Sequence, residues 1–140
     1  MSNNNYCLPD LDSLATFYAG KMEKGKKIGL IGVLGAGKTK FTSVLAKKLG
    51  IESPISSPTF TVMQTYGNKG KRLLHVDLYR VYPQDRETID QIIEEIDKYK
   101  YVVVEWADKI KTIYDKLDVV ISFSHARREN ERIITEVKKK

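Results

Sequence analysis

The sequence predicts a three-layer α/β domain with a mixed sheet, whose parallel core carries antiparallel hairpins at its edges. A glycine-rich stretch over residues 32–39 lies between a short apolar run and a helical pattern, and this strand–loop–helix order is typical of parallel sheets. Two pairs of strand-like runs are separated by turn signals, which indicate hairpins. Together these features favour a sheet with helices on both faces.

Three segments have apolar residues at helical spacing. The first covers residues 10–22 and the second covers residues 41–49, directly after the glycine-rich stretch. Gly50 is well placed to end the second helix, because glycine is the usual residue just past a helix C-terminus. The third segment covers residues 89–96 and is preceded by polar residues. Each segment therefore predicts an amphipathic helix.

Six segments have the composition of strands. They cover residues 28–31, 59–66, 72–79, 101–106, 118–123 and 132–137. The second and third flank a turn signal at residues 67–70, and the last two flank a polar, charged turn, so each pair predicts an antiparallel hairpin. The segment 101–106 is almost wholly apolar, as expected for a strand that is buried on both faces.

The glycine-rich stretch, Gly32-Val33-Leu34-Gly35-Ala36-Gly37-Lys38-Thr39, matches the phosphate-binding P-loop pattern. Backbone N–H groups of such a loop, with the positive end of the following helix, bind phosphate oxygens. Gly35 and Gly37 allow conformations that a Cβ would strain. Lys38 is expected to reach the β and γ phosphates, and the Thr39 hydroxyl to bind Mg²⁺. We therefore expect a P-loop NTPase-like fold.

Two predicted strands end in a carboxylate that could bind the metal. Asp77 follows Leu73-Leu74-His75-Val76, and Glu105 follows three valines. P-loop enzymes place such a carboxylate on Mg²⁺ and water, and a charge that is buried without a partner is costly. The alternative for each is a strand end in solvent or an ordinary salt bridge. With a P-loop present, both become candidate catalytic and metal-binding residues.

Three other residues keep two interpretations each. Thr59, in Ser57-Pro58-Thr59-Phe60, belongs either to a switch that senses the γ-phosphate or to a turn that leads into a strand, and spacing alone favours the turn. His75 alternates with apolar residues, so a core role and a catalytic role are equally compatible with the pattern. Trp106 is either core packing or a lid against the nucleotide.

Composition indicates one soluble domain over residues 1–140. The single cysteine, Cys7, excludes an internal disulfide and a cysteine metal cluster. No apolar run approaches the roughly 20 residues that a membrane span requires, and the N-terminus lacks a signal-peptide pattern, so we expect a cytoplasmic protein. The net charge of +6 lies in small lysine and arginine clusters. These clusters are compatible with an RNA or acidic partner, or with an ordinary solvated surface.

Four motifs, in order along the chain, resemble those of the TsaE (YjeE) family. They are Leu34–Thr39, Ser57–Phe60, His75–Arg80 and Glu105–Ala107. Members of this family are small bacterial P-loop ATPases of the tRNA threonylcarbamoyladenosine pathway. The resemblance implies binding of ATP and Mg²⁺ and association with TsaD-like and TsaB-like proteins. It also implies that ATPase activity supports threonylcarbamoyl transfer to the adenosine beside the anticodon, with tRNA contacted indirectly or weakly.

The resemblance further implies roles for individual residues. Lys38 would hold the β and γ phosphates, Thr39 and Glu105 would bind Mg²⁺, and Asp77 would be the acid of the hydrolytic site. Thr59 would be the switch residue. Four positions are expected near the nucleotide: Asp10 or Leu11, Trp106, Asp108 and Arg128.

Two positions depart from the family pattern. Val33 stands where the family usually has an acid, and little effect is expected because the loop binds through its backbone. Lys40 stands where the family usually has a second threonine, and its charge lies either near the α-phosphate or in solvent. Lys40 is therefore included among the candidate nucleotide-binding residues, with Ala36 of the loop.

Three other functions share parts of this pattern. A small-molecule kinase uses the same loop and metal, but it needs an acceptor pocket and a lid, for which 140 residues leave little chain. A Ras-like GTPase is less compatible, because Asp77 is not followed by the glycine of a switch motif. A nucleotide sensor without catalysis remains an alternative, since Leu78 rather than Glu follows Asp77.

Overall fold

The computed structural model describes residues 3–7, 11–32, 37–52, 54–55, 58, 61–68, 70–125 and 131–137. Four helices lie in this described part: α1 (Leu11–Glu23), α2 (Lys38–Lys48), α3 (Arg86–Lys98) and α4 (Lys111–Tyr114). Its strands are β1 (Asn3–Cys7), β2 (Ile28–Gly32), β3 (Met63–Asn68), β4 (Lys71–Asp77), β5 (Tyr101–Glu105), β6 (Val119–His125) and β7 (Glu131–Val137).

The described strands form one seven-stranded sheet in the order β1-β7-β6-β2-β5-β4-β3. Its centre, β6-β2-β5-β4, is parallel. Antiparallel pairs flank it, with β3 against β4 on one side and β7 against β6 on the other. The predicted mixed sheet and both predicted hairpins are therefore confirmed. The sheet order also brings the carboxyl ends of β2, β5 and β4 side by side, which is where ligands bind in open α/β sheets.

Hydrophobic side chains cover both faces of this sheet. On one face, α1 and α2 pack on residues such as Leu30, Leu73 and Val103. On the other face, the apolar sides of α3 and α4 pack on the alternate residues of the same strands, including Leu74 and Val104. Successive side chains of a strand point to opposite faces, so one run of valines and leucines serves both clusters. This arrangement confirms the predicted three layers.

Strand ends differ from the predicted bounds by a few residues. We predicted a strand over residues 59–66, but β3 begins at Met63 because Val62 has a left-handed backbone (φ 68°). The predicted strands 72–79 and 101–106 end earlier, at Asp77 and Glu105. Trp106 also has a positive φ (57°), which ends extended backbone. These early ends lie at the carboxyl edge of the sheet.

Two elements were not predicted. β1 is formed by Asn3-Asn4-Asn5-Tyr6-Cys7, which has no apolar alternation, and its backbone pairs with β7. α4 spans only four residues, too few to show a helical period. The described helices reach 13 residues at most, in α1 and α3, and among them none combines the length and apolar character needed to cross a bilayer.

Candidate nucleotide and metal site

Gly32 closes β2 at the carboxyl edge of the sheet and shapes the start of the candidate site. Its φ of 136° is a conformation that side chains disfavour, and an added Cβ would lie 2.1 Å from the Phe123 carbonyl oxygen. Gly32 and Phe123 are paired across β2 and β6. Gly37, at the start of α2, also has a positive φ (98°). The first and last described glycines of the P-loop pattern are therefore required by the backbone.

Lys38 lies in the first turn of α2, and its ammonium group is buried at the sheet edge. Its Nζ donates a hydrogen bond to the Gly32 carbonyl (2.7 Å) and lies 4.0 Å from the centre of the Trp106 ring. Burial lowers the pKa of Lys38, and the nearby carboxylates of Glu105, Asp77 and Asp108 oppose that shift. The structure thus places a desolvated cation beside three carboxylates at this edge of the sheet.

Thr39 and Glu105 face each other between α2 and β5. The Thr39 hydroxyl lies 3.2 Å and 3.4 Å from the two carboxylate oxygens of Glu105. Asp77 is the residue paired with Glu105 across β4 and β5, and both carboxylates are buried. Hydroxyl and carboxylate oxygens are the ligands that Mg²⁺ prefers. The predicted metal-binding residues Thr39, Glu105 and Asp77 are brought together at one end of the sheet.

His75 lies behind Glu105 on the same face of the sheet. Its Nε2 is 2.6 Å from Glu105 Oε2, and the His75 side chain is fully buried. Because an ionised carboxylate only accepts hydrogen bonds, the ring nitrogen is the donor. The alternatives of core and site residue are thus resolved in one respect: His75 contacts the candidate metal ligand directly.

The segment that precedes β3 is tied to Asp77. The backbone N–H of Asp77 donates to the Val62 carbonyl (2.8 Å), and that of Val62 donates to the Pro58 carbonyl (2.6 Å). The Asp77 carboxylate accepts a hydrogen bond from the Tyr79 N–H (2.9 Å). The predicted switch residue Thr59 lies outside the described residues; Val62, which follows it, is the residue that contacts the Asp77 backbone.

Trp106 is held at the mouth of the site by both backbone and ring contacts. Its neighbours are fixed, since the Ala107 N–H donates to the Leu30 carbonyl and the Leu78 N–H donates to the Glu105 carbonyl. Its ring packs on Tyr79, with centroids 5.1 Å apart. The partly buried indole therefore lies between Lys38 and an exposed tyrosine.

The other predicted nucleotide-binding residues have different surroundings. Lys40 is exposed on the first turn of α2, and Asp108 is exposed but close enough to act on the pKa of Lys38. The Leu11 side chain is buried in the apolar core. Its neighbour Asp12 pairs with Lys48, at the opposite end of α2 from Lys38. The predicted residues Asp10, Gly35, Ala36 and Arg128 also lie outside the described residues.

Comparison with known proteins identifies the family. The family model described as "Threonylcarbamoyl adenosine biosynthesis protein TsaE" matches residues 8–134. This chain belongs to the TsaE family. The match includes the glycine-rich stretch and the ends of β4 and β5.

Individual TsaE proteins are similar over most of this chain. The Aquifex aeolicus tRNA threonylcarbamoyladenosine biosynthesis protein TsaE is 36% identical over 121 residues, covering 85% of this chain and 86% of its own length. The Bacillus subtilis protein of that name is 36% identical over 112 residues, or 78% and 69%. The Haemophilus influenzae protein is 29% identical over 103 residues, and that match spans 65% of its length, slightly less than two thirds.

A solved structure supports the same assignment. The crystal structure of Bacillus subtilis YdiB superposes with a TM-score of 0.64 and 25% sequence identity, covering 96% of this chain and 84% of YdiB. The likeness extends to the mixed α/β architecture described above. For this TsaE-family chain, the fold class predicted from sequence is therefore confirmed.

Sequence reasoning missed two contributions to the site. The Gly32 carbonyl was not identified as the acceptor for Lys38, because a backbone oxygen leaves no residue signal. The contact of His75 with Glu105 joins residues 30 positions apart, so no local pattern contains it. The available signal was the polar residue itself, placed between the apolar positions of a buried strand.

Proposed function

We propose that this chain is a Mg²⁺-dependent ATP-binding and ATP-hydrolysing protein of the tRNA threonylcarbamoyladenosine pathway. Membership of the TsaE family supports the pathway. The convergence of Lys38, Thr39 and Glu105 at the carboxyl edge of the sheet is the observation that carries the chemistry. A buried ammonium beside oxygen ligands is an arrangement suited to a metal-bound triphosphate.

The side chains at the candidate site suit Mg²⁺ better than they suit a metal ion whose ligands all come from protein. Within the described residues, no group of three or more His, Cys, Asp and Glu side chains could enclose an ion. Protein-bound Mg²⁺ usually has one or two carboxylates and takes its other oxygens from phosphates and water. Thr39 and Glu105 would bind the ion, with Asp77 near the nucleophilic water. When bound, the ion would neutralise charge on the phosphates.

Lys38 and Asp77 have separate roles in this proposal. Lys38 would exchange its contact with the Gly32 carbonyl for phosphate oxygens, so its desolvated charge gains a partner. Asp77 would accept a hydrogen bond from the attacking water and orient it, since the Tyr79 N–H fixes one of its carboxylate oxygens. The contact with the Tyr79 N–H preorganises the Asp77 carboxylate, which reduces the reorganisation needed for catalysis.

We further propose that nucleotide state controls docking on TsaD-like and TsaB-like partners. Val62 connects the Asp77 backbone to the segment that contains Thr59, and Trp106 connects Lys38 to Tyr79 at the surface. Phosphate contacts that move Lys38 or Asp77 would therefore change the adjoining surface, as in nucleotide switches. In this proposal the chain acts on tRNA through its partners and does not recognise tRNA itself.

Calorimetric ATP binding and phosphate release test this proposal. Lys38→Ala is expected to weaken ATP binding by about 100-fold or more, equivalent to ~2.8 kcal/mol. Glu105→Ala is expected to abolish Mg²⁺-dependent turnover and to retain the fold. Lys47→Ala, at an exposed position of the same helix, is the matched control and should leave both unchanged. Wild-type protein that binds no ATP, or Glu105→Ala with full turnover, contradicts the proposal.

A second experiment separates the proposed function from a kinase. Radiolabelled γ-phosphate should appear as inorganic phosphate in the presence of TsaD-like and TsaB-like partners, and not on an added nucleoside. Pull-down of these partners should differ between ATP and ADP. Phosphate transfer to a nucleoside, or equal capture in both nucleotides, would contradict the switch.

A further inference from the structure

We propose that His75 is a positioning residue, which orients the Glu105 carboxylate for the metal ion. The inference rests on the proposed function, because it assigns a role toward the same Mg²⁺ site. His75 would act through Glu105 and would touch neither nucleotide nor metal. Its contribution is a fixed orientation of one carboxylate, whose Oε2 contacts His75 and also lies 3.2 Å from the Thr39 hydroxyl.

The surroundings of His75 point to this single contact. The side chain is fully buried, and its Nε2 donates to Glu105 Oε2 over 2.6 Å. Among the described residues, its Nδ1 is the one buried side-chain polar atom that has no hydrogen-bond partner. A histidine that served only the core would have both ring nitrogens satisfied or would be replaced by an apolar residue, because an unpaired buried polar atom is costly.

The position of His75 in β4 supports a role directed at the site. Leu73, His75 and Asp77 share the sheet face that α1 and α2 cover, and Leu73 lies in the apolar cluster there. Along β4, His75 therefore lies between Leu73 in the apolar core and Asp77 in the candidate site. The Tyr66 ring also lies near His75, at a centroid distance of 6.4 Å.

The Glu105 carboxylate is in contact with both His75 and Thr39. Oε2 is held by His75, and both carboxylate oxygens face the Thr39 hydroxyl at 3.2 Å and 3.4 Å. A glutamate without such a partner has several rotamers, and metal binding would have to select one of them. Hydrogen-bond partners of ligating side chains typically affect metal affinity by about 10- to 100-fold.

The test measures how much Mg²⁺ strengthens binding of a non-hydrolysable ATP analogue. Calorimetry gives the affinity in EDTA and in excess Mg²⁺, and the ratio is the Mg²⁺ enhancement. His75→Leu removes the hydrogen-bond donor and keeps a similar side-chain volume. It is expected to reduce the Mg²⁺ enhancement by about tenfold or to abolish it, while the affinity measured in EDTA stays unchanged. His75→Gln, whose amide can still donate to Glu105, should retain most of it.

A core variant distinguishes positioning from general destabilisation. Val103→Ala removes buried volume at the residue paired with His75 on β5 and leaves the histidine–glutamate contact in place. It should lower the unfolding midpoint while keeping the Mg²⁺ enhancement within about twofold of wild type, a ratio worth ~0.4 kcal/mol. If it reduces the enhancement as much as His75→Leu does, the positioning role is wrong.

The remaining outcomes separate this inference from the function on which it rests. Wild-type protein without any Mg²⁺ enhancement overturns the proposed metal site itself. Normal wild-type enhancement together with normal enhancement in His75→Leu overturns only the inference. If His75→Leu does not fold, His75→Asn replaces it, because its shorter amide does not reach Glu105. Equal enhancement in His75→Asn and His75→Gln then overturns the positioning role.

Discussion

Gly32→Ala should lower the stability of this protein and disturb its candidate nucleotide site. The φ of Gly32 is 136°, and a Cβ would lie 2.1 Å from the Phe123 carbonyl oxygen and 3.0 Å from its carbonyl carbon. Both atoms belong to the backbone of β6, so no side-chain rotation relieves the contact. β2 and β6 must separate until that distance exceeds 3.0 Å, the shortest that real Cβ atoms show.

The magnitude follows from two costs. The positive φ costs an alanine about 1–2 kcal/mol, and forcing a methyl group against backbone costs about 1–3 kcal/mol more. The total of about 2–5 kcal/mol is a large part of the 5–15 kcal/mol that stabilises a typical domain. At about 4 °C per kcal/mol for a domain of this size, we expect the midpoint to fall by about 8–20 °C.

Urea unfolding and ATP calorimetry on three variants test this reasoning. Gly25→Ala also has a positive φ (88°) and no atom within 4 Å of the added Cβ, so it should show a conformational cost without a steric clash. Gly67→Ala has a φ of 102° and a contact of 2.2 Å with the Lys71 carbonyl, in the hairpin away from the site. Only Gly32→Ala should also weaken ATP binding, by about tenfold or 1.4 kcal/mol, because it displaces the carbonyl that Lys38 contacts.

Two results would refute this account of Gly32. A loss of stability no larger than that of Gly25→Ala would show that the close approach to Phe123 does not matter. Equal ATP affinities in Gly32→Ala and Gly67→Ala would show that the carbonyl has no part in arranging Lys38.

Two further predictions concern Lys38 and Trp106. Burial lowers the pKa of Lys38 from its usual 10.5. Just below that pH the unfolded chain therefore binds more protons than the folded chain. The free energy of unfolding of the wild type should then rise with pH, relative to that of Lys38→Met. Urea unfolding at pH 7, 9 and 10 checks this sign, and a constant or opposite trend contradicts it. Trp106 is the only tryptophan of the chain, and its ring lies 4.0 Å from Lys38 Nζ, so fluorescence should change when ATP withdraws the ammonium. An unchanged emission spectrum in saturating ATP would contradict that placement.

Local patterns of the sequence predicted most elements of the fold. Helical spacing predicted α1, α2 and α3, since each has one apolar face of sufficient length. Turn signals predicted both hairpins. β1 escaped because its polar residues have no periodicity, and only backbone pairing with β7 makes it a strand. Strand ends were misplaced where Val62 and Trp106 adopt positive φ, which residue type does not foretell.

Local patterns of the sequence also predicted the chemistry of the candidate site. A glycine-rich stretch followed by Lys38 and Thr39 needs only eight consecutive residues to be recognised. An acid after an apolar run identifies Asp77 and Glu105 in the same way. The residue types and their spacing along the chain were therefore sufficient to predict which side chains form the candidate site.

Tertiary structure alone decided how those groups meet. The placement of β5 between β2 and β4 sets Asp77 beside Glu105 and both near Lys38. It also joins His75 to Glu105 and the Gly32 carbonyl to Lys38. The side chain of Leu11 is buried in the apolar core. Strand order and register are set by packing between residues distant in sequence, and a one-dimensional pattern does not contain those distances.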